Sequence, residues 1–236
     1  MWRGRGGASS PRSCSPSAVS PSYTRADDLP AVLPVFPLDA VLLPPRGMLP
    51  LNVFEPRYLN MIDDAMASDR IIGIVQTVQG GDRERPALAK VGGAGRITSF
   101  AETQDGRYLI TLTGICRFHT GKELPGAMPY RQVRADFRPF ESDLSPSDDT
   151  EIDRAGLLAA LKRYLASREM DVDWSTADEA PMEALVNSLS MALPFSGPEK
   201  QALLEALSLA DRAETLAILL KIEAAGEDGD SPSALQ

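Results

Sequence analysis

Residues 33–38 read LPVFPL, and residues 48–58 read MLPLNVFEPRY. In both segments prolines interrupt an apolar run. This predicts short strands at sheet edges or crossovers, because proline cannot donate to a strand ladder. Pro56 suits the first turn of a helix, where the missing N–H costs nothing. An amphipathic helix is then predicted from the apolar residues that follow at helical spacing, which are Tyr58, Ile62, Ala65 and Met66.

The chain continues in a β pattern as far as Phe140. The run Gly92-Gly93-Ala94-Gly95 interrupts a long predicted strand, and we interpret it as a bulge or tight bend. Asp105-Gly106 predicts a hairpin turn. Further strands are predicted at 70–78, 87–101, 108–113 and 130–140. Short strands joined by Gly- and Pro-rich crossings predict a partly closed β-barrel with one helix.

Beyond residue 150 the pattern becomes helical. Apolar residues recur at helical spacing in four stripes, and the third contains Leu203, Leu204 and Leu207. Such stripes must be covered, so we expect a helical bundle packed on itself and on the barrel, and an α+β fold class. The expected organisation is a disordered leader at 1–28, a barrel subdomain at 29–140, a linker at 141–150, the bundle at 151–225 and a disordered acidic tail at 226–236.

The first 28 residues are rich in Ser, Pro, Gly and Arg, and the first acidic residue is Asp27. A transit peptide has a similar composition, but the prolines at 11, 16 and 21 disfavour the amphipathic helix that such peptides form. We therefore expect a disordered leader, which an over-extended start would also explain, and a targeting segment is the alternative.

The composition is that of an acidic globular protein, with a net charge of −9 and an isoelectric point of about 4.7. This charge disfavours non-specific binding of nucleic acid or of an anionic membrane. The two cysteines, Cys14 and Cys116, form no disulfide framework, so we expect a reducing, cytoplasmic location. No apolar run reaches the roughly 18 residues that cross a bilayer.

The sequence offers little for catalysis or metal binding. His119 is the only histidine, and with Cys116 it supplies two ligands where a structural zinc site needs four. We expect Cys116 to point inward and His119 outward near the end of a strand. Residues 171–173 begin like a calcium loop, but Thr176 and Met182 stand where that loop needs Gly and Glu. We predict no catalytic residue, no metal site and no cofactor.

Nine separated segments share the order and spacing of a known family. They are LPVFPL, LPLNVFEPRY, RIIG, GGAGRI, DGRY, GICRF, LVN, LPF and EKQALLE, and they cover residues 33 to about 220. Together they resemble the N-terminal substrate-binding domain of Lon-type ATP-dependent proteases, in its stand-alone bacterial form without the ATPase and protease domains. The resemblance implies a PUA-like β-barrel followed by a helical bundle.

In function, the resemblance implies a non-catalytic polypeptide-binding module, which acts as an adaptor in protein quality control. The expected partners are unfolded or hydrophobic polypeptide segments and an ATP-dependent protease, with no membrane. RNA binding is the alternative, because PUA-like barrels often bind RNA and a local basic patch is offered by Arg117, Arg131, Arg134 and Arg138. The net charge disfavours nucleic acid, and a hydrolase, the third alternative, would depend on His119.

A site that binds an unfolded chain needs an adaptable apolar surface. The exposed candidates lie in the proline-rich crossing and are Val41, Leu42, Leu43 and Met48, although these residues would alternatively close one end of the barrel. The family signature comprises Glu55, Arg57, Tyr58, Arg96 and Arg117. We expect the first three to hold helix to barrel, with direct ligand contact as the alternative. The last two are expected near strand ends, where they bind a partner carboxylate or form surface ion pairs.

Overall fold

The computed structural model describes residues 23–82, 85–126, 128–147, 151–170 and 179–228. Most of the predicted leader, the calcium-like segment and most of the predicted tail lie outside these ranges. The strands are β1 Val32–Pro37, β2 Met48–Val53, β3 Ile71–Val75, β4 Thr77–Asp82, β5 Arg85–Leu88, β6 Val91–Glu102, β7 Tyr108–Glu123 and β8 Arg131–Asp136. The helices are α1 Pro56–Met66, α2 Arg154–Ser167, α3 Met182–Ala192, α4 Gly197–Glu205 and α5 Leu209–Asp228, with short 3-10 helices at Ala26–Asp28 and Arg138–Leu144.

Six of these strands form one mixed sheet in the order β2-β7-β6-β3-β1-β8, and β4 pairs with β5 in a separate hairpin. The β1–β3 pairing is parallel, and the other pairings in the sheet are antiparallel. Because β8 pairs with β7 as well as with β1, the sheet curls back on itself. The predicted architecture of a partly closed sheet with one helix, followed by C-terminal helices, is confirmed.

The prolines of β1 do not place this strand at an edge, because β1 lies between β3 and β8. The ladder with β8 begins at Val32 and ends at Val35, where the ladder with β3 begins. Pro34 therefore has a strand partner only on the β8 side, and Pro37 only on the β3 side, so a missing N–H is tolerated at both. The prediction of an edge strand is therefore wrong for β1. It is correct for β2, which carries Pro50 and lies at the edge of the sheet.

Helix α1 begins at the predicted proline and packs on the sheet. Pro56 is its first residue, and its buried face carries Tyr58, Met61, Ile62 and Ala65. The ring of Tyr58 stacks on Phe36 of β1 with the ring centroids 4.1 Å apart. The predicted contact between this helix and the sheet is therefore confirmed.

The glycine-rich segment makes room for the proline-rich crossing, residues 38–48, which leads from β1 to the first residue of β2. The register of β6 against β7 shifts between Ala94 and Gly95, which confirms the predicted bulge. A Cβ atom on Gly93 would lie 1.9 Å from the carbonyl oxygen of Leu43. The main chain of the crossing therefore lies directly on β6, and any side chain at position 93 would exclude it. The predicted hairpin turn is also confirmed, with Gly106 at a φ of +77°.

The sheet and the C-terminal helices share one hydrophobic core. Phe118 of β7 belongs to the same cluster of buried residues as Leu161 of α2 and Leu216 of α5. Leu207, predicted to belong to the third stripe, is instead 84% exposed. Helix α4 ends at Glu205 and the following residue is not helical. Leu207 therefore does not lie on the same helix face as Leu203 and Leu204. The core is therefore continuous across the boundary expected between barrel and bundle.

A buried ion pair of Arg117 on β7 joins the sheet to the helical region. Its Nη2 and Nε donate to the two carboxylate oxygens of Asp143 at 2.8 and 2.9 Å. Its Nη1 donates to the carbonyl oxygen of Leu204 on α4 at 3.0 Å. Asp143 belongs to the segment expected to be a linker, but residues 141–144 lie in the second 3-10 helix and Asp143 is buried. Arg117 therefore fixes strand, 3-10 helix and α4 relative to one another.

Replacing Arg117 by methionine is expected to lower the free energy of unfolding by about 3–5 kcal/mol, because Asp143 is left charged, buried and unpaired. Arg57→Met is the matched control. The side chain of Arg57 is 49% exposed in its ion pair with Glu55, so its loss is expected to cost less than about 1 kcal/mol. Urea denaturation measures both variants, and equal losses would contradict the role given to Arg117.

Adding a methyl group at Gly93 is expected to destabilise the protein by about 1–3 kcal/mol or more, because the carbonyl of Leu43 cannot move without the whole crossing. Gly126→Ala is the control, since a Cβ there meets its nearest atoms at an ordinary 3.5 Å, and a change within about 0.5 kcal/mol is expected. Thermal unfolding of the two variants compares them. An unchanged midpoint for Gly93→Ala would refute the close approach.

Candidate functional site

The four candidate binding residues of the crossing have different environments. Met48 is 65% exposed, whereas Leu42 and Leu43 are each only 1% exposed, and Val41 is half-buried. The expectation that all four are exposed is therefore wrong for the two leucines. Leu42 belongs to the hydrophobic cluster that the sheet shares with the C-terminal helices, and Leu43 belongs to the cluster that contains the buried face of α1. Met48 remains as the exposed candidate.

Met48 borders an apolar groove of about 470 Å³ between β2 and α3. One wall is the start of β2, and the other is a helix face of small residues. We call it the Met48 groove, and its lining residues are Arg46, Gly47, Met48, Leu49, Pro50, Ala184, Ser188, Met191 and Ala192. The groove exists because α3 buries its opposite face, including Leu185 and Val186, in the core. Its two methionines give it side chains that adapt to different ligands.

A salt bridge closes one end of the Met48 groove. Arg46 Nε donates to Glu183 Oε1 at 2.7 Å, and Arg46 Nη1 donates to the carbonyl oxygen of Asp143 at 2.7 Å. Arg46 lies in the crossing and Glu183 lies in the first turn of α3. The pair therefore holds the two walls together and marks where the apolar lining ends.

Beyond Met48 the groove opens onto a mainly uncharged face of the sheet. Residues 109, 111 and 113 of β7 share this face because side chains alternate along a strand, and their partners on β2 and β6 lie beside them. We call this the open sheet face, and its residues are Met48, Pro50, Asn52, Thr98, Ser99, Ala101, Leu109, Thr111 and Thr113. Each of these side chains is exposed or half-buried, and none carries a charge. Arg96 of β6, the partner of Thr113, is charged and half-buried beside them, and it donates to Tyr23 and Asp69.

The opposite face of the same strands is buried. Ile110 and Leu112 of β7 belong to the cluster that contains the buried face of α1. The hydroxyl groups of Thr98 and Thr113 lie 3.0 Å apart, so polar atoms on the open face satisfy one another in part. The open sheet face therefore offers weakly polar and apolar groups without any requirement for a charged ligand.

The signature residues at the start of α1 contact one another. Arg57 Nε donates to Glu55 Oε2 at 2.9 Å, and the Arg57 guanidinium lies 4.7 Å from the centre of the Tyr58 ring. Burial raises the pKa of the Tyr58 hydroxyl above its ordinary value. These contacts anchor the first turn of α1 on β1 and leave Glu55 and Arg57 at the surface.

The two other signature residues bind groups inside the protein. Arg96 Nη1 donates to the hydroxyl of Tyr23 and to the carbonyl oxygen of Asp69, each at 3.0 Å. Arg117 is buried, and its carboxylate partner is Asp143. The expectation that Arg117 lies near a strand end and binds a partner's carboxylate or forms a surface pair is therefore wrong, because Arg117 lies within β7, where the 3-10 helix and α4 cover it.

The four arginines considered for RNA do not form one exposed patch. Arg117 is buried, and Arg131 binds both carboxylate oxygens of Glu123 at 2.9 and 2.8 Å. Hydrogen bonds from Arg131 lower the pKa of Glu123, so this acid remains charged beside it. Arg134 and Arg138 are exposed. Two of the four charges are therefore committed to ion pairs within the protein.

Cys116 and His119 have the orientations predicted from the sequence, with the thiol buried and the imidazole exposed. Burial raises the pKa of Cys116 to about 12, and its thiol lies 3.3 Å from the carbonyl oxygen of Phe140 as a hydrogen-bond donor. The thiol is therefore neutral at physiological pH. Within the described ranges, no helix is long and apolar enough to cross a membrane.

The α3 wall of the groove was not anticipated from the sequence. The apolar stripe of this helix identifies its core face, and the small residues Ala184, Ser188 and Ala192 lie on the other face. Their spacing of four residues and the exposed alternation of β2 are sequence signals. Neither signal shows that the two surfaces meet, because β2 and α3 are far apart in the chain.

A family model for the substrate-binding domain of the ATP-dependent protease La (Lon) matches residues 32–221. Lon protease 2 of Myxococcus xanthus is 29% identical over 221 residues, which are 88% of this chain and 26% of that protein. Lon protease of Anaeromyxobacter dehalogenans is 30% identical over 150 residues, which are 62% of this chain and 17% of that protein. The chain thus spans about a quarter or less of the length of these relatives.

Solved structures share the fold. The Lon N-terminal domain protein from Xanthomonas campestris superimposes with a TM-score of 0.57 at 24% identity, over 79% of this chain and 97% of that chain. The N-terminal domain of the Lon protease of Mycobacterium avium complex gives a TM-score of 0.55 at 18% identity, over 80% and 97%. These likenesses support the description of a partly closed sheet with C-terminal helices.

Met48→Asp is expected to change the free energy of unfolding by no more than about 0.5 kcal/mol relative to the unchanged protein, because this side chain is exposed. The same substitution at Leu43 places a carboxylate in the core and is expected to cost at least about 3 kcal/mol or to prevent folding. Urea denaturation followed by circular dichroism compares the two. A large loss of stability for Met48→Asp would contradict the assignment of Met48 to a free surface.

Proposed function

Because this chain belongs to the family of the Lon substrate-binding domain, we propose that it is a polypeptide-recognition module that binds apolar segments of unfolded chains in the Met48 groove. The observation that carries this proposal is the continuity of the groove with the open sheet face. Together they form a mainly uncharged surface in an acidic protein, with Met48 at their junction. Its arginines, Arg46 and Arg96, donate to groups within the protein. Large exposed apolar surfaces in soluble domains mark sites of interaction.

Side-chain contact, rather than strand pairing, is the proposed mode of binding. β2 lies at the edge of the sheet, which is where an extended peptide would pair. Pro50, however, has no N–H, so this edge cannot offer a complete ladder of donors. The methionines and the small residues of α3 supply contacts that depend on apolar character rather than on sequence. This suits a module that accepts many unfolded chains.

The expected affinity is modest. Covering about 300 Å² of apolar surface would contribute about 7 kcal/mol, whereas association alone costs at least about 4 kcal/mol. The difference of about 3 kcal/mol corresponds to a dissociation constant in the millimolar range or weaker for one such segment. Rapid release is compatible with handing a segment to an ATP-dependent protease, which is the partner we propose for an adaptor in cytoplasmic protein quality control. No catalytic step is assigned to the module itself.

Fluorescence anisotropy of labelled casein, a permanently unfolded polypeptide, tests the proposal when it is titrated with the full chain. Saturable binding that changes little with salt is expected, because the groove binds by apolar contact. Met48→Asp is expected to weaken binding at least about tenfold, since a carboxylate must then be desolvated in the groove.

Ile222→Asp is the matched control, because Ile222 is 58% exposed on α5 and lies away from the groove. It is expected to bind casein like the unchanged protein. Equal affinities of Met48→Asp and the unchanged protein for casein would exclude the groove as the polypeptide-binding site. Binding that disappears at physiological salt would instead indicate electrostatic contact, and labelled RNA in the same titration would then test the alternative ligand.

A further inference from the structure

A second cavity of about 210 Å³ lies between the crossing, the second 3-10 helix (Arg138–Leu144) and the start of α5. It shares Arg46 with the Met48 groove but has a charged lining. We call it the Arg212 cavity. The ionisable side chains that line it are Arg46, Arg117, Asp143, Glu183 and Arg212.

The two acids of this cavity are already paired. Asp143 accepts three hydrogen bonds, of 2.8, 2.9 and 3.0 Å, from the side chain and the backbone N–H of Arg117. Glu183 accepts from Arg46 and, at 2.8 Å, from the hydroxyl of Ser147. The third arginine, Arg212, therefore leaves one positive charge in excess in the lining.

Arg212 is 3% exposed and has no acidic partner among the described residues within ion-pair distance. Its Nε donates to the carbonyl oxygen of Leu203 at 2.9 Å, and its Nη1 donates to Oδ1 of Asn187 at 3.0 Å. Both acceptors are neutral. The remaining terminal nitrogen, Nη2, has no hydrogen-bond partner among the described residues.

A buried cation without a counter-ion is costly. Burial and the nearby charge of Arg117 lower the pKa of Arg212 to about 10, which still leaves the guanidinium charged at neutral pH. A charged group that is held in place, lacks an acid and borders a cavity is suited to bind an anion. A guanidinium also matches the two oxygens of a phosphate or carboxylate in its geometry.

We propose that the Arg212 cavity binds a small oxyanion, with Arg212 as its principal ligand and Arg46 at its mouth. The oxyanion is either free phosphate or a carboxylate. This site shares Arg46 with the groove, but it is proposed to bind its ligand by charge rather than by apolar contact.

Isothermal titration calorimetry of the full chain with sodium phosphate tests this site, against sodium chloride at equal ionic strength. Saturable phosphate binding is expected, and Arg212→Gln is expected to weaken it at least about tenfold, as for a lost charge-assisted hydrogen bond. Arg163→Gln is the matched control, because Arg163 is exposed on α2 outside the cavity; it is expected to bind phosphate unchanged.

A second variant protects the test against misfolding of Arg212→Gln. Arg46 has a side chain that is 40% exposed, so Arg46→Gln is expected to fold and to weaken phosphate binding several-fold. Sodium acetate in a parallel titration distinguishes the two sources of oxyanion: tighter acetate binding identifies a carboxylate, and tighter phosphate binding identifies phosphate. No saturable binding of either anion, or phosphate binding that is unchanged in folded Arg46→Gln, would overturn the proposal.

Discussion

The ion pair between Arg117 and Asp143 is the contact on which the arrangement of the molecule depends. Both groups are buried, and their charges are tolerated because the carboxylate accepts hydrogen bonds from Arg117, and the guanidinium also donates to the main-chain carbonyl of Leu204. The pair crosses from the sheet to the 3-10 helix and the end of α4. Asn187 of α3 adds a further link, since its Nδ2 donates to the carbonyl oxygen of Pro45 at 2.9 Å. These polar contacts hold α3 against the crossing.

The position of the crossing then decides which residues a ligand can reach. The crossing lies on β6 because Gly93 has no side chain, and this proximity sends Leu42 and Leu43 into the core. The chain emerges at Met48 to begin an edge strand whose outward side chains are apolar or weakly polar. The candidate site is therefore a consequence of close packing on one side of the crossing and of the fixed position of α3 on the other.

Local features of the fold could be predicted from the sequence because they depend on neighbouring residues. Pro56 marks the start of α1, Gly106 marks the hairpin, and apolar spacing identifies the core faces of the helices. Features that depend on contacts between distant parts of the chain could not be predicted from the sequence. The proline pattern does not show that the ladders on the two sides of β1 meet only at Val35, and nothing local shows that Asp143 is the partner of Arg117. Met48 could be predicted as a candidate from its local sequence. The α3 wall beside it could not, because it depends on a contact between distant parts of the chain.

Hydrogen exchange of the full chain, measured by mass spectrometry with and without saturating casein, tests most directly whether the surface between β2 and α3 is the one that receives polypeptide. Slower exchange is predicted for peptides that cover residues 47–53 and 182–192, with little change in α5, whose exposed face lies outside the groove. Protection confined to α5, or to the β4–β5 hairpin, would contradict this account and would assign polypeptide binding to another surface of the molecule.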